Sequence, residues 1–183
     1  MENENLIEFT YRPKTEAKRI LPTVLTLAGA SAVLVVLSVT APAFRGLISL
    51  AAVIGITVSM YLFLRYAAND FVYSVTHGGE GEMLFVVARV IGKRTSVMCS
   101  FRIAEIINVE ALTKAEKSKH APAPDAQKFN FCPNFSPEVV YLIKTASPSG
   151  KLEVMIECTD EVAARLRDYA AAARAAESDE DVE

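Results

Sequence analysis

Very few residues in this chain have a type and spacing that could support metal binding or catalysis. His77 precedes Glu80 and Glu82, and these three side chains could supply nitrogen and oxygen ligands to a metal ion. The stretch GGEG within this segment is typical of a tight turn. We therefore interpret the segment as a solvated hairpin turn and expect no metal site.

The cysteines and histidines give no catalytic pattern. The chain has three cysteines, Cys99, Cys132 and Cys158, whose wide spacing fits neither a zinc site nor a disulfide framework. The surroundings of His77 and His120 do not suggest a serine or cysteine nucleophile with an orienting acid. No phosphate-binding glycine pattern follows a strand and opens a helix. We expect reduced thiols, no catalytic residue, no metal, no cofactor, and a protein that is not an enzyme.

Basic residues form a more informative pattern. Four of them lie in or beside the predicted second and third strands, namely Arg89, Lys93, Arg94 and Arg102. Such a group could contact anionic lipid headgroups or a partner protein, or it could be a solvated turn. The net charge of −3 argues against a dedicated nucleic-acid binder, which would usually be clearly basic.

Two apolar runs stand between the N-terminus and these residues. Residues 20–40 and 47–66 show no polar face, and Arg45 is the only charged residue from Ile20 to Leu64. Each run would form a helix about 30 Å long, which matches the hydrocarbon core of a bilayer. A cleaved signal peptide has a shorter apolar core. The sequence therefore predicts two transmembrane helices, joined by a tight extramembrane turn at APAFRG. The serine, threonine and glycine residues within the runs can bond back to their own helix or pack closely.

The distribution of basic residues predicts the orientation of these helices. Only Arg45 lies on the connecting turn, whereas the terminal sides carry five juxtamembrane basic residues, Arg12, Lys14, Lys18, Arg19 and Arg65. The positive-inside bias then places both termini in the cytoplasm. We expect a multi-pass protein of the cell (inner) membrane.

A stripe of small residues on the second run predicts close helix packing. Ala51, Gly55 and Ser59 recur every four residues, which would let another helix approach. That helix is either the first run or a second copy of the chain. No ionisable residue lies in the middle of either run, which argues against an ion pathway.

Residues 69–177 change to the alternating pattern of β-strands. Strands are predicted at 69–77, 82–92, 95–101, 103–112, 128–134, 138–146 and 151–159. A mobile loop is expected at 113–127, a helix at 160–177 and an acidic disordered tail at 178–183, while 1–19 reads as an N-terminal cytosolic segment. The pattern predicts a cytosolic antiparallel β domain, strongly bent or partly barrel-like, closed by the C-terminal helix.

The short aromatic stretch FNFCPNF permits two interpretations. Its residues Phe129, Phe131 and Phe135 could belong to an exposed edge strand that accepts a strand from a partner protein. They could equally close the hydrophobic core beneath the long loop. Both alternatives remain open from the sequence.

Two stretches carry a family resemblance, FVYSVTHGGEGEMLFVVARVIGKRTSVMCSFRIAEI and YLIKTASPSGKLEVMIECTDEVAARL. Together with the two apolar runs, they resemble bacterial membrane-anchored proteins with a pleckstrin-homology-like domain. More specifically, the chain resembles small two-pass proteins of Gram-positive bacteria in a domain-of-unknown-function family. The resemblance implies two transmembrane helices and a cytosolic pleckstrin-homology-like domain.

The resemblance also implies a binding function. Pleckstrin-homology-like folds host lipid, peptide and protein binding, and those that bind phosphoinositides hold the phosphates with basic residues near the first hairpin loops. Lys93 and Arg94 stand at a comparable turn, but the first turn, GGEG, is acidic instead. We expect a membrane protein whose cytosolic domain binds a protein partner or organises a membrane complex. The alternative is a membrane-tethered module that binds anionic lipid headgroups.

Overall fold

The computed structural model describes residues 7–40, 44–79, 81–121, 123–147 and 150–180 of the chain. The elements are β1 (Ile7–Tyr11), α1 (Ala17–Thr40), α2 (Arg45–Tyr66), β2 (Asp70–His77), β3 (Met83–Ile91), β4 (Arg94–Arg102), a 3₁₀ turn (Ile103–Glu105), β5 (Ile106–Thr113), α3 (Lys114–Lys119), β6 (Ala126–Asn130), β7 (Val139–Ser147), β8 (Gly150–Ile156) and α4 (Asp160–Glu180). Two long apolar helices are therefore followed by a mostly antiparallel β domain and a C-terminal helix.

Helices α1 and α2 are long and apolar enough to cross a membrane. Their apolar spans are Ile20–Thr40 and Arg45–Tyr66. Only 17% of the most apolar window of the first span and 11% of the second is buried, whereas the core helix of a soluble protein would be mostly buried. The second span begins two residues earlier than predicted. Arg45 therefore lies in the first turn of α2 and not in the connecting turn, and Pro42 lies outside the described residues.

The two helices pack through a narrow line of small and hydroxyl-bearing residues. A Cβ atom added to Gly55 would lie 2.1 Å from Ser31 Oγ, so α1 and α2 touch closely at this point. Ala52 and Ser59 are buried on the same face of α2, three residues before and four after Gly55. Ala51 is exposed, so it does not face α1 as Gly55 and Ser59 do, and packing of a second copy against the predicted stripe stays a prediction. The small residues that face α1 are Ala52, Gly55 and Ser59.

Six serine and threonine hydroxyl groups of the two helices bond back to their own backbone, which is one of the two arrangements that the sequence allowed. Ser31 Oγ donates to the carbonyl of Leu27 at 2.8 Å, and Ser59 Oγ donates to the carbonyl of Gly55 at 2.8 Å. The same pattern holds for Thr26, Ser38, Thr40 and Thr57. These bonds leave no hydroxyl of this set without an acceptor, which lowers the cost of placing it in an apolar environment.

The β domain consists of two four-stranded sheets. Sheet A has the order β1-β2-β3-β4, and sheet B has the order β5-β7-β8-β6. The expectation of a wholly antiparallel domain is wrong at β6, which pairs in parallel with β8 from Ala126 opposite Lys151 to Asn130 opposite Met155. The segment between β5 and β6 crosses to the far side of β8, because β6 returns beside β8 instead of beside β5.

Strand β1 was not predicted, and it changes the domain boundaries. Residues Ile7–Tyr11 pair antiparallel with β2, with Tyr11 opposite Tyr73. The strand belongs to the compact unit of the β domain, whereas the predicted division left it in a separate N-terminal segment. The helical hairpin α1–α2 is thus inserted between two neighbouring strands of one sheet.

The core of the β domain is built from alternating residues of both sheets and from one face of α4. Phe71, Tyr73 and Val75 of β2 are buried, as their spacing predicted. From α4, Leu166 is buried, and Tyr169 and Ala173 pack against the same cluster. Thr159 Oγ1 accepts a hydrogen bond from the amide of Val162, which confirms the predicted N-cap of this helix.

Two further expectations from the sequence require correction. The predicted mobile loop contains helix α3, whose N-cap Thr113 and third residue Glu116 form a reciprocal capping box. The predicted disordered tail begins too early, because α4 continues through Glu180. Residues 181–183 lie outside the described residues.

Candidate interaction surface on the β3–β4 hairpin

The β3–β4 hairpin combines positive charge with exposure. The stretch from Met83 to Phe101 contains three basic residues and no acidic residue, in a chain whose net charge is −3. The hairpin closes at Gly92, which adopts a φ of +59° that favours glycine. Every residue from Ile91 to Met98 is exposed, including Lys93 and Arg94 at the turn.

The four basic residues predicted to act together occupy two places. Arg94 pairs with Ile91 at the turn, and Arg89 lies opposite Ser96 nearby. Arg102 lies at the other end of β4, about 26 Å away at the usual strand rise. The structure therefore places Arg89, Lys93 and Arg94 at the turn end of the hairpin and separates Arg102 from them.

Arg102 lies in a different environment, where nearby carboxylates neutralise its charge. Its Nε atom lies 2.9 Å from Glu105 Oε1, and its Nη1 atom lies 3.5 Å from Glu82 Oε1. These groups line an open cleft of about 360 Å³ together with Ser100 and Ser147. The carboxylates of Glu82 and Glu105 outweigh the single positive charge of Arg102. The cleft therefore lacks the net positive charge that would attract an anionic ligand.

Arg89 lies on the inner side of β3. It follows the buried residues Phe85 and Val87 in the alternating pattern and is half-buried. The irregularity between β3 and β4 lies between Val87 and Ala88, where the partner residue moves from Cys99 to Val97, so Met98 is the extra residue on β4. The Nε atom of Arg89 is buried and has no hydrogen-bond partner among the described residues.

The hairpin turn lies at a defined end of sheet A. The chain leaves this sheet after Tyr11 and re-enters it at the start of β2, and Tyr11 is paired with Tyr73. Strands β2 and β3 are joined by a tight turn in which the amide of Gly78 donates to the carbonyl of Glu82 at 2.6 Å. The end of β3 is therefore beside the start of β2. The turn at Lys93 thus shares its end of sheet A with both connections to the helices.

The outer edge of β4 is exposed and uncharged between Thr95 and Met98. β4 is the last strand of sheet A, so one side of its backbone has no strand neighbour in the described part of the chain. Val97 is 65% exposed and Met98 is 41% exposed. No charged residue occurs from Thr95 to Phe101. Exposed edges of this kind can accept an additional strand, and natural proteins usually place charges or proline there to prevent it.

The residues considered for metal binding have other partners. His77 Nε2 lies 3.0 Å from Glu8 Oε1, while Glu82 pairs with Arg102. Glu80 lies outside the described residues. Within the described ranges, no group of three or more histidine, cysteine or acidic side chains is arranged to hold a metal ion.

Two of the three thiols and the second histidine lie in surroundings that do not favour a nucleophilic role. Burial, followed by the nearby charge of Asp160, raises the pKa of Cys158 to about 12, and burial also raises the pKa of Cys99. A thiol with a raised pKa carries little of the nucleophilic thiolate near neutral pH. His120 Nε2 lies 2.8 Å from the buried carboxylate of Glu153, so this histidine is committed to a structural pair.

The aromatic stretch at β6 divides between two compact units. Phe131 is buried in the core of the β domain, and Phe129 stacks on it with ring centroids 5.9 Å apart. Phe135 is 63% exposed and belongs with the helical unit, where its ring meets Tyr66 edge-on at 5.3 Å. Phe129 and Phe131 therefore pack in the core, whereas Phe135 does not. β6 is also the last strand of sheet B, so the edge-strand interpretation stays a prediction.

The juxtamembrane basic residues flank the two helices. Arg12 and Lys14 are exposed in the connection between β1 and α1. Lys18 and Arg19 lie in the first turns of α1, and Arg65 lies in the last turn of α2 with its guanidinium 5.2 Å from the ring centroid of Tyr66. The helix ends therefore carry the charges from which the orientation was predicted.

Comparison of the chain with family models, curated proteins and solved structures found no match. The resemblance to two-pass proteins of Gram-positive bacteria stays a prediction. The surface on the β3–β4 hairpin must be interpreted from its own geometry.

Proposed function

We propose that this chain is an integral protein of the cell membrane and not an enzyme. The hairpin α1–α2 anchors a cytosolic pleckstrin-homology-like domain, and that domain binds a partner protein and so organises a membrane complex. The length and apolar exposure of both helices support the anchor. The partner-binding role is carried by one observation, the exposed and uncharged outer edge of β4.

The pairing of β1 with β2 supports the placement of both flanks on one side of the membrane. β1 precedes the helical hairpin and β2 follows it, yet they are neighbours in sheet A. A strand cannot pair with another across a bilayer, because the unpaired backbone groups would have to remain in the hydrocarbon. The excess of basic residues on these flanks supports the cytoplasmic side.

The architecture of the β domain supports the pleckstrin-homology-like assignment. Two sheets enclose one core, and α4 closes it with Val162, Ala163 and Leu166 turned inwards. The parallel pairing of β6 departs from a purely antiparallel design. This departure affects the far side of sheet B and leaves the β3–β4 hairpin unchanged.

The edge of β4 supports partner binding by strand addition. Its neighbours in sheet A lie only on the β3 side, and Thr95, Ser96 and Val97 are exposed. An extended segment of a partner would form main-chain hydrogen bonds along this edge and cover Val97. The irregularity at Met98 interrupts the ladder, so the uncharged segment from Thr95 to Val97 is the part available for regular pairing.

Affinity capture with crosslinking from the native membrane tests this proposal. The full-length chain should recover one stoichiometric protein, and Val97→Lys should abolish that recovery because a charged edge disfavours strand addition. Ile7→Lys is the matched control, because Ile7 is 63% exposed on β1 at the opposite edge of the same sheet. Equal recovery with Val97→Lys, or recovery of the chain alone, would contradict the proposal.

A second function is favoured by the positive charge of the same hairpin, which contains no acidic residue. Arg89, Lys93 and Arg94 could hold anionic lipid headgroups, in which case the β domain is a membrane-tethered lipid-binding module. The turn and the outer edge are separate surfaces, so substitutions at Val97 and at Lys93 distinguish the two functions.

A further inference from the structure

We propose that the open cleft beside Arg102 binds an organic cation on an apolar stem, either an alkylammonium or an alkylguanidinium group. The cleft lies within the β domain, between the end of β4 and the end of β7. A small amine and a lysine or arginine side chain of a peptide both offer this chemistry. The inference depends neither on the membrane anchor nor on the partner at the β4 edge.

The charged side chains of the cleft leave one negative charge unmatched. Glu82 and Glu105 line the cleft, and the guanidinium of Arg102 contacts their carboxylates at 3.5 Å and 2.9 Å. These three are the charged side chains among the described residues that line it, and one guanidinium balances only one carboxylate. The side chain of Glu105 is only 12% exposed. A cation is attracted more strongly to such a carboxylate than to one in open water.

A buried hydroxyl group without a partner stands next to the cleft, on the side of the core. Thr145 is 2% exposed, and its Oγ1 atom has no hydrogen-bond partner among the described residues. It faces the same side of sheet B as Ser147, two residues further along β7, and it lies directly opposite Leu152 on β8. Ser147 and Leu152 both line the cleft. An unpaired buried hydroxyl costs stability, and a cationic N–H group in the cleft would supply its missing donor.

The apolar residues of the cleft suit the stem of an organic cation. Leu84, Phe101 and Leu152 line it together with the charged groups. Aromatic rings attract cations over their faces, and methylene groups gain free energy by leaving water for leucine side chains. A volume of about 360 Å³ is enough for a short alkyl chain with its charged head. A hydrated metal ion would gain nothing from the apolar part of this lining.

A nuclear magnetic resonance titration of the full-length chain in detergent micelles tests the proposal. The probes are n-butylammonium and n-butylguanidinium at constant ionic strength, with n-butanol as the neutral control. We expect saturable shifts of the amide signals of Ser100, Glu105 and Ser147 with the cations and none with n-butanol. A capped alanine peptide with a single lysine forms the second arm. Shifts with the peptide alone would assign the ligand to a side chain of a protein, and shifts with the free cations alone would assign it to a small amine.

Two substitutions connect these shifts to the proposed contacts. Glu105→Gln should weaken cation binding by about tenfold or more, because it removes a charge-assisted hydrogen bond. Thr145→Val keeps the shape of the side chain without its hydroxyl, so it should weaken binding by about tenfold and leave the β domain at least as stable. Glu110→Gln is the matched control, because Glu110 pairs with Lys144 outside the cleft. Amide signals of β7 and β8 report whether each variant is folded.

The proposal fails if none of the cationic probes gives a saturable shift, or if n-butanol gives an equal one. Equal weakening in Glu110→Gln would reveal a general effect of net charge and would also overturn it. Unchanged affinity in both Glu105→Gln and Thr145→Val would place the cation elsewhere and have the same consequence. Failure of the partner proposal would appear separately, as capture that Val97→Lys does not change.

Discussion

Tyr11 and Tyr73 lie opposite each other across the β1–β2 pair, with ring centroids 6.2 Å apart, although both apolar helices stand between them in the chain. Tyr73 is fully buried, and its hydroxyl donates to the carbonyl of Phe131 at 3.0 Å. Tyr11 is half-buried and covers this core residue from the edge strand. The contact ties the segment before the helical hairpin to the domain after it.

We predict that Tyr11→Ala destabilises the β domain by about 1–2 kcal/mol, because it removes a stacked aromatic pair and partly buried apolar area. Denaturant unfolding of the full-length chain in detergent, followed by circular dichroism of the β domain, measures this change. Thr10→Ala is the control, because Thr10 is exposed on the same strand. An equal effect of both substitutions would show that β1 contributes through its backbone alone.

We predict that Gly55→Ala destabilises the helical hairpin, because the added Cβ would lie 2.1 Å from Ser31 Oγ. Relief requires rotation of the Ser31 hydroxyl away from its bond to Leu27, so the expected cost is about 1–3 kcal/mol. Thermal unfolding in detergent measures it. Gly29→Ala should have little effect, because no atom lies within 4 Å of the corresponding position.

A double substitution gives the sharper test of this contact. Ser31→Ala removes the atom that the new methyl group would meet, so Gly55→Ala/Ser31→Ala should recover most of the stability lost in Gly55→Ala alone. Additive losses would contradict a direct contact between the two residues.

We predict that Glu153 makes the stability of the β domain sensitive to acid. Glu153 is buried on β8, where His120 Nε2 lies 2.8 Å from one carboxylate oxygen and the amide of Ala123 donates to the other at 3.2 Å. Burial raises the pKa of Glu153, but the hydrogen bonds from His120 and Ala123 and the charges of His120 and Lys144 outweigh it, so the pKa is lowered. The contacts of His120 and Ala123 with Glu153 hold the segment after α3 against β8.

The sign of the effect follows from this lowered pKa. A carboxyl group whose folded pKa lies below its unfolded value contributes stability above the unfolded pKa, and that stability is lost as pH falls through the folded pKa. Glu153→Gln should therefore cost about 1–3 kcal/mol at neutral pH and flatten the stability profile below about pH 4.5. Urea unfolding across this range measures both. Asp125→Asn is the control, because the Asp125–Lys151 ion pair is exposed and contributes little.

We predict that Tyr141 ionises only at strongly alkaline pH. Its hydroxyl donates to Asp160 Oδ1 at the start of α4, and burial, followed by this hydrogen bond and the charge of Asp160, raises the pKa of Tyr141 to about 12. Because the folded pKa exceeds the unfolded value, the stabilising contribution is complete below about pH 10 and disappears as pH rises towards the folded pKa.

Ultraviolet absorbance of tyrosinate measures this titration. In Tyr141→Phe, the late-ionising component should shrink by one tyrosine, because burial also raises the pKa of Tyr73 well above its ordinary value. The β domain should lose about 1–2 kcal/mol. Asp160→Asn should lower the pKa of Tyr141 towards its ordinary value, whereas Asp168→Asn on the exposed face of α4 should leave it unchanged. An unaltered titration in Asp160→Asn would show that burial alone raises the pKa.

Local features of the sequence predicted much of the fold. The uninterrupted apolar runs gave both helices, since length and hydropathy do not depend on distant residues, and only the start of α2 was misplaced. Alternation predicted the strands from β2 to β8, except that the strand expected at 128–134 lies at Ala126–Asn130, and Thr159 marked the start of α4. The capping box of α3 was also readable at Thr113 and Glu116, but the surrounding lysine, alanine and proline residues favoured a loop.

Long-range pairing was decided only by the tertiary structure. Ile7–Tyr11 is too short and too exposed to be recognised as a strand before it meets β2, and nothing local to Ala126–Asn130 specifies a parallel partner. The sequence likewise grouped Arg102 with Lys93. It could not reveal that the length of β4 separates the two residues, or that Glu82 and Glu105 neutralise Arg102. Residue type and local spacing therefore determined which segments are helical, extended or apolar. The tertiary structure decided which charges and edges stay exposed, because that depends on partners distant in the chain.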